Sequence, residues 1–134
     1  MGIYTRVKVA AETYAVPIGN AVEIATLGDL TAVPGSPREI LGVRNLRGQI
    51  LPVIDLAMLL GLNAAVPPRQ LLVAEAGSVK AGFAIDEVSS VGELPDPTEG
   101  AESDFLLGTM FHDGELLGVV DVPRIFGSLQ RADR

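Results

Sequence analysis

The chain has 134 residues, no cysteine and a formal net charge of −7, and 48% of its residues are hydrophobic. Such a chain holds one domain or two small intimate lobes around a real core, with neither disulfides nor thiolate metal sites. No apolar run approaches the roughly 20 residues of a membrane span, and an acidic chain without a basic stripe is a poor match for nucleic acid.

Residues 3–9 alternate like a strand, which leaves no room for a signal peptide. A short strand follows over 13–18, ending near Pro17, and a third over 21–27. Ser36-Pro37-Arg38-Glu39 has the form of a capping box with proline at the first helical position, which predicts a short helix through Leu41. Strands are expected at 42–47 and 49–54, turning at Arg47-Gly48. Asp55 is then a suitable N-cap for a short helix over 56–60 that Gly61 stops. Asn63 to Pro68 reads as a linker, because Pro67-Pro68 suits no element interior. Beyond it the expected strands are 70–75, 79–85, 88–94, 105–111 and 115–121, with Asp113-Gly114 as a hairpin turn. A closing helix over 123–129 and a frayed end from Arg131 to Arg134 complete the chain.

The segment Gly42 to Gly61 recurs 66 positions later without a gap. Gly42/Gly108, Gly48/Gly114, Val53/Val119, Asp55/Asp121 and Gly61/Gly127 are identical, and the glycines are read as turn residues. Two copies of one β-rich lobe are therefore expected, about 10–62 and about 70–129, within a single 1–134 domain. Five short strands per lobe favour small closed barrels, since closure removes exposed edges. Exchange between such lobes would allow residues 1–9 to complete the second rather than the first.

Chemistry-bearing residues are few. His112 beside the Asp113-Gly114 turn is read as a polar strand end facing water rather than as a general base. The loop from Pro95 to Asp104 carries four acids, yet it lacks the alternating ligands and glycine of a calcium loop. No glycine-rich loop opens a helix to cradle phosphate. No metal and no cofactor are expected. The charge is uneven: residues 1–67 hold five Lys/Arg and five Asp/Glu, and 68–134 hold five against twelve. Arg6, Lys8, Arg38, Arg44 and Arg47 thus lie in the half suited to an acidic protein partner. Glu23 and Arg47 stand out as charges within strands. They are either solvent-facing residues or a pair whose arginine fork receives a partner's carboxylate.

Gly42-Val43-Arg44-Asn45-Leu46-Arg47-Gly48, followed by Ile50-Leu51-Pro52-Val53-Ile54-Asp55-Leu56, resembles the signature of CheW-like coupling proteins of bacterial chemotaxis. Tyr14 to Ile18, Val22-Glu23-Ile24 and Phe83 to Val88 extend the resemblance across residues 4 to 127. It implies an all-β fold of two intertwined five-stranded SH3-like β-barrel lobes with short helices, and no catalysis. It implies a cytoplasmic adaptor, membrane-associated through receptor arrays and not inserted itself. The implied partners are the regulatory domain of the histidine kinase CheA and the cytoplasmic tip of chemoreceptors. Glu23, Asn45, Leu46, Arg47 and Gly48 match partner-binding positions. Val43, Leu46, Ile50 and Val53 form a candidate apolar patch, although such residues are more often simply core. Leu41 and Ala21 depart from the pattern, which commonly has Lys or Arg and a larger aliphatic residue there. Two other readings stand beside this one: a CheW-like module of a pilus or gliding chemosensory system, and a small β-barrel ligand-binding protein or enzyme.

Overall fold

The computed structural model describes residues 1–98 and 103–132. Ten strands are found among them: β1 (Gly2–Val9), β2 (Glu12–Pro17), β3 (Ala21–Thr26), β4 (Ile40–Leu46), β5 (Gln49–Asp55), β6 (Gln70–Ala76), β7 (Val79–Ile85), β8 (Glu87–Leu94), β9 (Leu106–His112) and β10 (Glu115–Val120). Two helices follow the fifth and tenth strands, α1 (Leu56–Leu59) and α2 (Val122–Ala132). A single 3-10 turn, Ile18–Asn20, joins β2 to β3 and has no counterpart in the sequence reading.

The strands form two five-stranded sheets, ordered β3-β6-β7-β5-β4 and β8-β1-β2-β10-β9. We call these the first and second lobes. Each is closed by the segment that runs on from its edge strand. Thr31, beyond β3, exchanges backbone hydrogen bonds with Val43 of β4 at 2.8 and 3.0 Å. Thr98, beyond β8, does the same with Thr109 of β9.

Lobe membership differs from the sequence reading of about 10–62 and about 70–129. β1 does join the second lobe, but β2 goes with it, and β6 and β7 join the first. The physical reason is parallel pairing. β2 lies beside β10, with Tyr14 opposite Gly118, and β7 lies beside β5, with Gly82 opposite Val53. Each two-strand hairpin is thereby inserted into the sheet of the other half.

The repeat itself is present in three dimensions. Asp55 Oδ1 accepts from Met58 N–H at 3.1 Å, and Asp121 Oδ1 accepts from Arg124 N–H at 3.1 Å. Both carboxylates thus satisfy orphan donors in the first turn of a helix. Arg47-Gly48 and Asp113-Gly114 both hold φ near +50° and then near +80°, the backbone of a type I′ hairpin turn. Gly42 and Gly108 are not turn residues, contrary to expectation. They lie inside strands where another backbone passes close. A Cβ at Gly42 would stand 2.5 Å from the Thr31 carbonyl oxygen, and one at Gly108 would stand 2.2 Å from that of Thr98.

The helix expected over 36–41 is absent. Ser36 Oγ donates to the Val33 carbonyl at 2.8 Å, and Ile40 N–H bonds back to Pro37, closing a single turn. Asp55 N–H takes the Glu39 carbonyl at 2.7 Å, so the chain is drawn into β-pairing before a helix can propagate. α2 runs longer than expected, through Ala132. Part of the acidic loop (99–102) and the last two positions of the expected frayed end (133–134) lie outside the described residues.

Each lobe has its own interior: Leu46, Leu51, Val53, Leu71, Val73 and Ala84 in the first, and Tyr4, Ala15, Leu94, Met110, Leu117 and Val119 in the second. A third cluster unites them. Val7, Val16, Leu72, Phe83, Val120 and Phe126 pack in one buried group drawn from both halves of the chain. Fully burying a side chain of this size stabilises by about 1.5–3 kcal/mol, so the lobes cohere as one domain.

Candidate functional site

The site candidates converge on one corner of the first lobe. Among the described residues β3 is an edge strand, paired only with β6. Along it Val22 and Ile24 are exposed, and Glu23 is half-buried. The β4–β5 turn lies beside it and carries Arg47. The Arg47 guanidinium donates through Nη2 to Glu23 Oε1, closing an ion pair across 24 positions of sequence. The arginine side chain remains 67% exposed, against 34% for the glutamate. The Arg47 hydrogen bond, reinforced by the charges of Arg47 and Lys80, holds the Glu23 carboxyl below its ordinary value of 4.5. The same bond raises the arginine further. The pair thus presents a fixed guanidinium with free donors, suited to a carboxylate from a partner.

The turn that presents Arg47 is built locally. Asn45 Oδ1 accepts from Gly48 N–H at 2.9 Å and ties the loop across its mouth. Gly48 supplies the second left-handed position without strain, and Arg47 occupies the first at φ +52° despite its Cβ. Asn45 and Gly48 thus shape the turn that carries Arg47. Leu46 departs from the expected site. It is 8% exposed and packs against the first-lobe interior. Val53 is likewise core. Val43 is half-buried, and Ile50 alone of the proposed apolar patch is well exposed, at 58%.

Arg44, one of the basic residues suited by sequence to an acidic partner, is turned instead to the backbone. Its Nε donates to the Leu27 carbonyl at 2.9 Å, and Nη1 donates to the Asn45 carbonyl. It thereby fastens the closing segment after β3 to the strand that carries the site. Gly28, at φ +65°, leaves space for it, since a Cβ there would come within 2.7 Å of Arg44 Nε. The pairing of an arginine with a distant glycine was invisible without the sheet order.

The second lobe repeats the scaffold without the site. The positions 66 residues beyond Glu23, Asn45 and Arg47 hold Ser89, Phe111 and Asp113. Phe111 and its cross-strand partner Leu116 are both exposed. His112 Nε2 lies 3.3 Å from Asp113 Oδ2, so its neighbour does face it, but on an exposed turn. An apolar hollow of about 400 Å³ is bordered by Val33, Ile40, Val43, Pro52 and Phe126, and among the described residues no titratable side chain lines it. Among the described residues no group of three or more His, Asp or Glu could hold a metal ion. No helix among them is long and apolar enough to cross a membrane.

The CheW-like domain model matches residues 4–130. The chemotaxis protein CheW of Rhizobium meliloti is 31% identical over 134 aligned positions, covering 92% of this chain and 86% of the relative. Protein FrzA of Myxococcus xanthus is 37% identical over 108 positions, covering 74% of this chain and 68% of the relative. Among solved structures, the scaffolding protein TtCheW of Thermoanaerobacter tengcongensis superposes with a TM-score of 0.78 at 26% identity. That alignment covers 89% of this chain and 83% of the other.

Proposed function

Because the chain belongs to the CheW-like domain family, a family of chemotaxis adaptors, we propose that it couples chemoreceptors to the histidine kinase CheA by binding both. The observation that carries this reading is the Glu23–Arg47 pair: a guanidinium fixed by one carboxylate on a rigid turn, with most of its surface free. Such a group recognises an acidic or carbonyl-bearing surface and needs no cofactor to do so. The kinase's regulatory domain and the receptor's cytoplasmic tip are the partners. A bridge needs two separate faces, and two lobes of one scaffold with different surfaces supply them. The first lobe presents Arg47 and Ile50, while the second presents Phe111, Leu116 and an acidic turn. Kinase control then arises from positioning, with the chain placed in the cytoplasm beside the receptor array.

The test is binding of Arg47→Ala to purified kinase and to receptor fragments. The account expects a loss of at least about tenfold for one partner, the order expected for one charge-assisted hydrogen bond, with a melting temperature close to that of wild type. Wild-type affinity for both partners would remove Arg47 from the interface. A CheW-like module of a pilus or gliding chemosensory system is the second reading, favoured by the FrzA match. It differs in which receptor and kinase are retained from the source cell.

A further inference from the structure

Numbered within its own repeat, each sheet has the same order: third, first, second, fifth and fourth strand. β1 and β2 open the first half of the chain yet complete the sheet of β8, β9 and β10. β6 and β7 open the second half yet complete the sheet of β3, β4 and β5. The exchange is reciprocal, and neither half owns a finished sheet. The halves are joined by a short connection. Leu62 N–H is held by the Ala57 carbonyl at 2.8 Å, and the Arg69 carbonyl accepts from Leu27 N–H at 3.0 Å. Residues 63–68 alone lie between these anchors, and Asn63 to Pro67 are exposed.

We propose that a second copy of this chain docks by exchange of halves. Residues up to 62 of one copy close both lobes with residues from 69 onward of the other, and the remaining halves do the same. Every strand pairing between halves is kept, and only the connection takes a new course. Pro67-Pro68 favours an extended path and so suits the open form. In dilute solution the tethered half wins, because a short linker presents it at an effective concentration on the order of millimolar. Exchange takes over when protein is concentrated or when a chain's own half is damaged. The product carries two Glu23–Arg47 faces, each built within the first half of one copy. The inference rests on topology and is independent of which partners those faces bind.

Two full-length variants test it. Val53→Asp places a charge in the first-half part of the core, and Val119→Asp places one in the second half; both sites are 0% exposed. An unpaired buried carboxylate destabilises strongly. The variants are refolded, alone and as an equimolar near-millimolar mixture, at a urea concentration where wild type is folded and either variant alone is not. The mixture should regain a cooperative unfolding transition near the wild-type midpoint and sediment at twice the chain mass. A mixture of Val53→Asp with Leu51→Asp, both lesions in the first half, should regain nothing. Failure of the first mixture to recover, or equal recovery by the second, would overturn the proposal.

Discussion

Arg47 occupies the first position of a type I′ turn, where a side chain costs roughly 1–2 kcal/mol relative to glycine. A residue kept in that conformation is retained for what its side chain does, and here the side chain holds Glu23 and faces solvent. Arg47→Gly relieves the backbone and removes the guanidinium, so it should melt at or above the wild-type temperature while partner binding falls. Arg47→Ala keeps the strain and should melt close to wild type, because an exposed pair contributes little to stability. Thermal melts beside binding isotherms distinguish the cases. A marked loss of stability in the glycine variant would make Arg47 structural. The same pair has an acid limb. The folded value of Glu23 is depressed below 4.5, so the pair is fully formed above that value and is lost as pH falls through the lower folded value. Titration by carboxyl NMR should find Glu23 below its ordinary value in wild type and moved upward in Arg47→Ala. Identical titrations would show that the pair does not form in solution.

Elements were legible where a local rule fixes them. The two hairpin turns and the Asp55 cap followed from residues adjacent in sequence, and so did most strand bounds to within one or two positions. The Ser36 capping box failed because backbone pairing of Glu39 and Ile40 outweighed a nucleus of one turn. Of the three repeated glycine pairs, one is a turn pair and another marks a backbone crossing between segments distant in sequence, which no local rule predicts. Substitution separates these uses. Gly42→Ala forces a methyl into the Thr31 carbonyl and should cost about 1–3 kcal/mol, the range for overpacking. Gly127→Ala, within α2 and with no atom within 4 Å of its Cβ, should be neutral or stabilise by up to about 1 kcal/mol. Asp55→Ala and Asp121→Ala should each cost about 1 kcal/mol through the lost cap. Chemical denaturation of the four variants checks the set. Equal losses at Gly42 and Gly127 would mean that the two glycines serve one role.

At the scale of the whole molecule, the repeat gave two lobes but not their membership, because membership is decided by two parallel pairings between residues far apart in the chain. The resemblance carried the family and a list of site positions, and the structure shows where each of those side chains lies. Arg47 and Glu23 meet, Asn45 and Gly48 shape the turn, and Leu46 is core. What the fold delivers is a duplicated scaffold with a dissimilar surface on each copy, which is the shape of a bridge. A bridge has a signature that neither an enzyme nor a single-partner inhibitor shares. The direct measurement is kinase activity in reconstituted receptor–kinase assemblies titrated with this chain. Receptor control of the kinase should rise, pass through a maximum near stoichiometric addition, and fall as excess chain occupies the two partners separately. A signal that climbs to a plateau and stays there at high excess would contradict the account.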